Sequence, residues 1–261
     1  MPSYQNIILD EKDGVAVLTL NNPENRNPLT EETKSELISA LDDVKNRSSV
    51  RVLVIAAKGS AFCAGGDVKK VGQKMTHEDI RAVMQKSQQL LLRIVNLEKP
   101  VIAAVNGDAF GMGCNLVLAA DFAIASEKAR FCEVFVKLGI IPDFGALYFL
   151  PRLVGLARAK EMTYLGNVID ADAAGKMGLV YQVVSHEELE TASMELAGRL
   201  ARMPTLAIGK AKSVLNRTFD LTLSQVLDEE VAAQIFLSHT RDYQEGMQAF
   251  KEKRKPDFKG K

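Results

Sequence analysis

Residues 52–56 (Val-Leu-Val-Ile-Ala) and 101–105 (Val-Ile-Ala-Ala-Val) are short runs without a polar side chain. Runs of that length predict strands covered on both faces, as in a parallel sheet packed under helices. Residues 122–125 and 180–184 read as further strands. At the N-terminus, residues 7–9 and 15–20 flank Glu11-Lys12-Asp13-Gly14, where Asp-Gly marks a hairpin turn. Leu37, Leu41 and Val44 then recur at helical spacing, and Thr30 stands as N-cap with Glu31 and Glu32 in the positive first turn. A polar stretch becomes a helix ending near Glu98, and residues 114–120 predict a short apolar helix. From residue 187 onward the pattern is helical: 187–202, a stretch after Pro204, and 223 to about 253. Strand–turn–helix units followed by helices define an α/β chain.

Composition narrows the partners. The 261 residues carry 33 Lys+Arg against 33 Asp+Glu, a net charge of zero, so there is no electrostatic footprint for nucleic acid or an anionic membrane. Any anion must be held by local groups. Cys63, Cys114 and Cys132 are odd in number and irregularly spaced, which predicts reduced thiols and neither a disulfide framework nor a metal site. No apolar run approaches membrane-spanning length and no leader pattern opens the sequence, so the expected location is the cytoplasm.

Two glycine-bearing loops, each directly after a buried strand, are the first candidates for chemistry. One is Ala61-Phe62-Cys63-Ala64-Gly65-Gly66-Asp67-Val68, whose paired glycines let backbone N–H groups approach a ligand unscreened. The other runs from Asn106 to Asn115, with Gly111 and Gly113 bracketing Met112 at the start of a helix. Each alone reads equally as an ordinary strand-to-helix turn. On neighbouring parallel strands the two would aim two donors at one oxygen, the arrangement an oxyanion hole requires. A third candidate is Asp143 in the Pro142-Asp143-Phe144-Gly145 turn. It reads either as a turn aspartate bonding its own backbone or as a carboxylate in an apolar pocket poised for acid/base work. His77, His186 and His239 lie in polar stretches that suggest exposure, and Cys63 and Cys114 read as packing residues.

The two loops, in this order, resemble those of the enoyl-CoA hydratase/isomerase (crotonase) family. Residues 22–29 (Asn-Pro-Glu-Asn-Arg-Asn-Pro-Leu) are similar to its early CoA-contacting loop, residues 99–107 to the lead-in of its second loop, and residues 243–258 to its C-terminal signature. The resemblance implies an α/β fold: a spiral of ββα units over residues 1–195 carrying the CoA and catalytic site, and a helical trimerisation region over 196–261. It implies a homotrimer or dimer of trimers, an acyl-CoA thioester substrate, and no cofactor beyond the CoA of that substrate. Oxyanion donors would come from Gly66 and Met112, with CoA near Asn25, Arg26, Ala64, Gly65, Gly66, Asp67 and Val68. Phe250 and Lys253 would meet the CoA of a neighbouring subunit.

The departures from the family pattern bear on the reaction. Its hydratases use two glutamates to handle water; here those positions hold Asn115 and Phe135. Glu133 lies two residues before Phe135 and on an extended segment would share its face, one pleat away. Asp143 stands where members that shift double bonds keep a catalytic aspartate, and residues 135–145 resemble bacterial phenylacetate-pathway isomerases most closely. Double-bond isomerisation is therefore the expected activity. The alternatives are a hydratase with Glu133 as relocated base, a dehalogenase-like enzyme with Asp143 as nucleophile, and a catalytically idle CoA-binding oligomer.

Overall fold

The computed structural model of the chain describes residues 4–67 and 75–261. Strands β1 (Ile7–Lys12) and β2 (Val15–Leu20) pair antiparallel across the expected Asp13-Gly14 turn, in which both residues have positive φ, 52° and 80°. That hand of turn matches the twist of the strands it joins. Helix α1 (Glu31–Asn46) starts at Thr30, whose hydroxyl accepts from the Thr33 N–H at 3.1 Å.

Three times the chain then runs through a strand, a short strand and a helix. The first turn is β3 (Val52–Ala57), β4 (Ala61–Cys63) and α2 (His77–Val95). The second is β5 (Val101–Val105), β6 (Asp108–Phe110) and α3 (Met112–Leu118). The third is β7 (Phe122–Ser126), β8 (Arg130–Cys132) and α4 (Ala146–Leu165), the last broken at Gly155. Then follow β9 (Ile169–Asp170), α5 (Ala171–Lys176) and β10 (Gln182–Val184). The long strands form a six-stranded sheet in the order β1-β2-β3-β5-β7-β10, parallel from β2 onward; the short ones form a second sheet, β4-β6-β8-β9. Each turn adds one strand to each sheet, which is the spiral of ββα units that the resemblance implies.

The apolar runs divide between two cores as period two demands. Leu53, Ile55, Val101, Ala103 and Val105 face the main core under α1, α2 and the second sheet. Val52, Val54, Ile102 and Ala104 face a smaller core closed by Ala197 and Ala201 of α6 (Leu189–Ala201). Helices α7 (Thr205–Leu215), α8 (Leu223–Ser238) and α9 (Arg241–Glu252) complete the chain. Among the described residues no helix is long and apolar enough to cross a membrane.

Three sequence expectations change. The single helix expected over 223–253 is two, because Thr240 accepts from the Tyr243 N–H and His239 Nδ1 meets the Ile235 carbonyl at 2.8 Å, ending α8 and capping α9. The strand expected over 180–184 begins only at Gln182. The residue pattern alone does not show the second sheet, which only the resemblance to ββα units implies, since strands of two or three residues show no periodicity, and β6 lies inside a stretch read as loop.

The second sheet brings the two glycine loops together. A Cβ built on Gly113 would lie 2.1 Å from the Cys63 carbonyl oxygen, so the start of α3 presses directly on the end of β4. Gly113→Ala should lose on the order of 3 kcal/mol by overpacking against backbone that cannot rotate away. Urea denaturation of the variant checks this; a loss below about 0.5 kcal/mol would mean the contact is softer than described.

Candidate active site

Gly65 takes φ +101°, and a Cβ there would lie 2.8 Å from the Phe110 carbonyl oxygen and 3.6 Å from the Met112 nitrogen. The residue must be glycine on both counts. Gly66 forms a parallel bridge with Leu29, whose N–H donates to the Gly65 carbonyl at 2.8 Å. In such a bridge the flanking residues of the partner strand make the bonds, so the N–H of Gly66 itself points away from Leu29. Met112 is the first residue of α3 and has no carbonyl one turn back in its helix, so its N–H also points outward, at the positive helix end. A Cβ on Gly66 would lie 3.8 Å from the Met112 sulfur. The structure thus brings Gly66 and Met112 into one seam, with Gly65 between them.

The early loop joins the same seam. The Ala64 N–H donates to the Arg26 carbonyl at 2.9 Å, and Arg26 and Asn27 both take left-handed backbone, φ 62° and 53°. Buried Asn27 fixes this bend, its amide donating to the carbonyls of Lys58 and Ala61 at 2.8 and 2.9 Å. Asn25 and Arg26 stay exposed beside it, and Asp67 is half-buried. Val68 lies outside the described residues. Phe250, 83% exposed on α9, and Lys253, the left-handed cap of that helix, stand on the surface.

Asp143 reaches the site through its backbone. Its carbonyl accepts from the Asn115 amide at 2.9 Å and from the Ala146 N–H at 3.1 Å. The turn between them forces Phe144 to φ 48°, a strained conformation for an aromatic residue and one held only by its surroundings. Asn115 is three residues, roughly one turn, after Met112 on α3, so the helix that begins at Met112 also holds the Asp143 backbone. Asp143 Oδ1 is buried with no hydrogen-bond partner among the described residues. Burial pushes the carboxyl up to about 6, against the pull of the Lys34 cation.

Lys34 is a site residue that sequence reasoning missed. It is buried on α1, pairing with Glu31 at 2.5 Å and donating to Ser87 at 3.1 Å. The signal was available: position 34 continues the Leu37-Leu41-Val44 stripe, and a lysine on an apolar stripe is out of place.

Glu133 is placed differently from expectation. Residues Val134–Leu138 form a 3₁₀ turn rather than an extended segment, so Glu133 does not share the face of Phe135. It is 0% exposed, and among the described residues its carboxyl oxygens have no partner beyond the weak thiol donor of Cys114 beside it. Burial first, then the nearby Asp143 charge, raises it to about 7. The three cysteines are buried, and burial pushes the Cys63 thiol up to about 12, which makes it inert packing. His77 and His239 are exposed as expected, whereas His186 is half-buried with Nδ1 3.0 Å from Ser126 Oγ.

Two backbone N–H groups on neighbouring loops, with a buried carboxyl on a turn held by the same helix, are components suited to stabilising an oxyanion formed by proton removal. The family model described as Enoyl-CoA hydratase/isomerase matches residues 10–261, and the chain belongs to that family. Among relatives, the 1,2-epoxyphenylacetyl-CoA isomerase of Escherichia coli K12 is 38% identical over 98% of both chains. The crotonyl-CoA hydratase of Syntrophomonas wolfei is also 38% identical over 98% of both. A crystal structure of an enoyl-CoA hydratase from Bacillus anthracis superposes with a TM-score of 0.93 at 37% identity, covering 98% of this chain and 100% of the other.

The two raised carboxyls make a stability prediction. Each keeps its proton in the folded chain at pH values where the unfolded chain has released it, Glu133 between 4.5 and about 7 and Asp143 between 3.8 and about 6. Folding stability therefore falls as pH rises through that window and levels above it. Relative to Glu133→Gln, the wild-type chain should lose on the order of 3 kcal/mol between pH 4 and pH 8. Urea unfolding of both proteins across that range measures the difference; parallel curves would contradict the burial of an ionisable Glu133.

Proposed function

We propose that the chain is an enoyl-CoA isomerase that moves a carbon–carbon double bond through a thioester enolate. The observation that carries this reading is the buried, unpartnered Asp143 carboxyl oxygen on a turn whose backbone Asn115 of α3 holds, with Asn115 and Phe135 where water-handling glutamates would be needed. The thioester carbonyl accepts from the N–H groups of Gly66 and Met112. Asp143 removes a proton from the carbon chain; the C–H electron pair passes to the thioester oxygen as the enolate forms. Collapse of the enolate returns the proton from Asp143 to a different carbon, so the double bond has moved and no water is consumed. Asn25, Arg26 and the residues from Ala64 to Val68 hold the CoA portion.

The assembly proposed with it is a homotrimer or dimer of trimers. Val226, Leu227, Val231 and Ile235 of α8, with Val214 and Leu215 of α7, line a groove of about 810 Å³, and Leu227, Val231, Ile235 and Leu215 are all exposed. An apolar surface of this kind marks a site of association. Phe250 and Lys253, exposed on the C-terminal helix, then serve the CoA of a neighbouring copy.

Hydration is the second reading, and one observation favours it: the unpartnered oxygens of Glu133, Asp143 and Asn115 form an acceptor set able to hold a water. A panel of 2-enoyl- and 3-enoyl-CoA thioesters, with a phenylacetate-derived thioester among them, separates the two. Isomerisation of the 3-enoyl substrate without loss of enoyl absorbance from the 2-enoyl substrate supports the isomerase; the reverse supports the hydratase. Neither reaction, together with absence of substrate proton exchange into D₂O, leaves a CoA-binding oligomer.

Asp143→Asn should lower isomerisation by about 10²–10⁴-fold. Full activity in that variant would remove Asp143 from the mechanism. Met112→Ala should keep most activity because only the N–H is used, whereas Met112→Pro, tolerated at a first helical position, should lose about 10²–10³-fold in kcat. Equal activities for the two Met112 variants would rule out the donor role.

A further inference from the structure

The acceptors around Asp143 outnumber the donors. Glu133 Oε1 and Oε2, Asn115 Oδ1 and Asp143 Oδ1 are all buried without a partner among the described residues. Buried acceptors in such numbers require hydrogens from a bound water or from the carboxyls themselves. The groups facing Glu133 supply few: Cys114 from α3 offers a weak thiol donor, and Cys132 from β8 is held by the Gly166 carbonyl. The charges nearby are those of Asp143 and, on the side of Cys132, Lys137. The buried cation Lys34 acts on Asp143 and is itself paired with Glu31. An ionised Glu133 would therefore be fully buried near a second anion, with no ion-pair partner of its own among the described residues, an arrangement of high energy.

We propose that Glu133 is the proton partner of Asp143: walled in beneath the site, it remains a neutral carboxylic acid in the working enzyme, so that the pair carries one negative charge and that charge resides on Asp143. Glu133 acts through Asp143 and does not touch substrate, which makes it a positioning residue. Ionising it would place a second negative charge under a site that must accumulate charge on the enolate, and turnover would fall. The inference rests on the assignment of Asp143 as base. The directions of both shifts fit: burial raises Asp143 to about 6 and Glu133 to about 7, so Asp143 releases its proton first.

The test is α-proton exchange of 3-hexenoyl-CoA in D₂O, followed by proton NMR from pH 5 to pH 9, for the full-length wild type, Glu133→Gln, Glu133→Met and Asp143→Asn. Wild type should show a rising limb near pH 6 and a falling limb above pH 7, reaching about a hundredfold below its maximum at pH 9. Both neutral variants should keep the rising limb and lose the falling one, staying within about threefold of their own maxima to pH 9. A falling limb preserved in both variants, its absence from wild type, or folded variants without exchange at any pH would each overturn the partnership. Circular dichroism identifies a variant that fails to fold, and the other neutral variant or the wild-type profile then decides. Full exchange by Asp143→Asn would instead sink the underlying assignment of the base, whatever Glu133 does.

Discussion

Contact between the Cys63 carbonyl and the α-carbon of Gly113 leaves no room for a side chain, and the geometry of the site follows from it. The contact fixes where α3 begins relative to the end of β4, and hence which backbone N–H groups emerge at the seam. Gly65 repeats the approach one residue pair away, against the Phe110 carbonyl. Two backbone segments held this closely cannot slide past one another, so the proposed donors would be positioned before any ligand arrives. Preorganisation of that kind is what gives hydrogen-bond donors their leverage on developing charge.

Around this rigid seam the electrostatics are unbalanced on purpose-built scaffolding. Glu133 is fully buried and Asp143 half-buried with Oδ1 shielded, and the cation that acts on Asp143, Lys34, comes from α1. Desolvation raises both carboxyls, and Lys34 opposes that rise only at Asp143. Two chemically similar groups thus have different surroundings, the kind of difference on which the proposed division into base and proton holder rests. The backbone strain at Phe144 lies in the same turn as Asp143, next to the carboxyl whose Oδ1 is buried.

The sequence conveyed the main sheet, the N-terminal hairpin and the cap at Thr30, because each depends on interactions between residues close along the chain. Both glycine loops were legible for the same reason, and the family resemblance supplied the roles expected of them. The second sheet was not legible: strands as short as β4 and β9 exist only because the long strands bring them side by side. The environment of Glu133 was equally hidden, since a 3₁₀ turn and a long-range contact with Cys114 set it. Asn115 was noted as a missing glutamate, while its hold on the Asp143 carbonyl depends on two segments far apart in sequence meeting in space. Lys34 could have been found, being a charged residue on an apolar stripe.

The bonds that Asn115 and Ala146 make to Asp143 run to its carbonyl oxygen, a group every amino acid possesses. The side chain at this position is thus an interchangeable part in a fixed socket. Substitution there alters which protons can be moved without asking the turn to refold. A chain built this way can explore new reactions by single replacements, since the parts that confer shape and the part that confers chemistry are separately heritable.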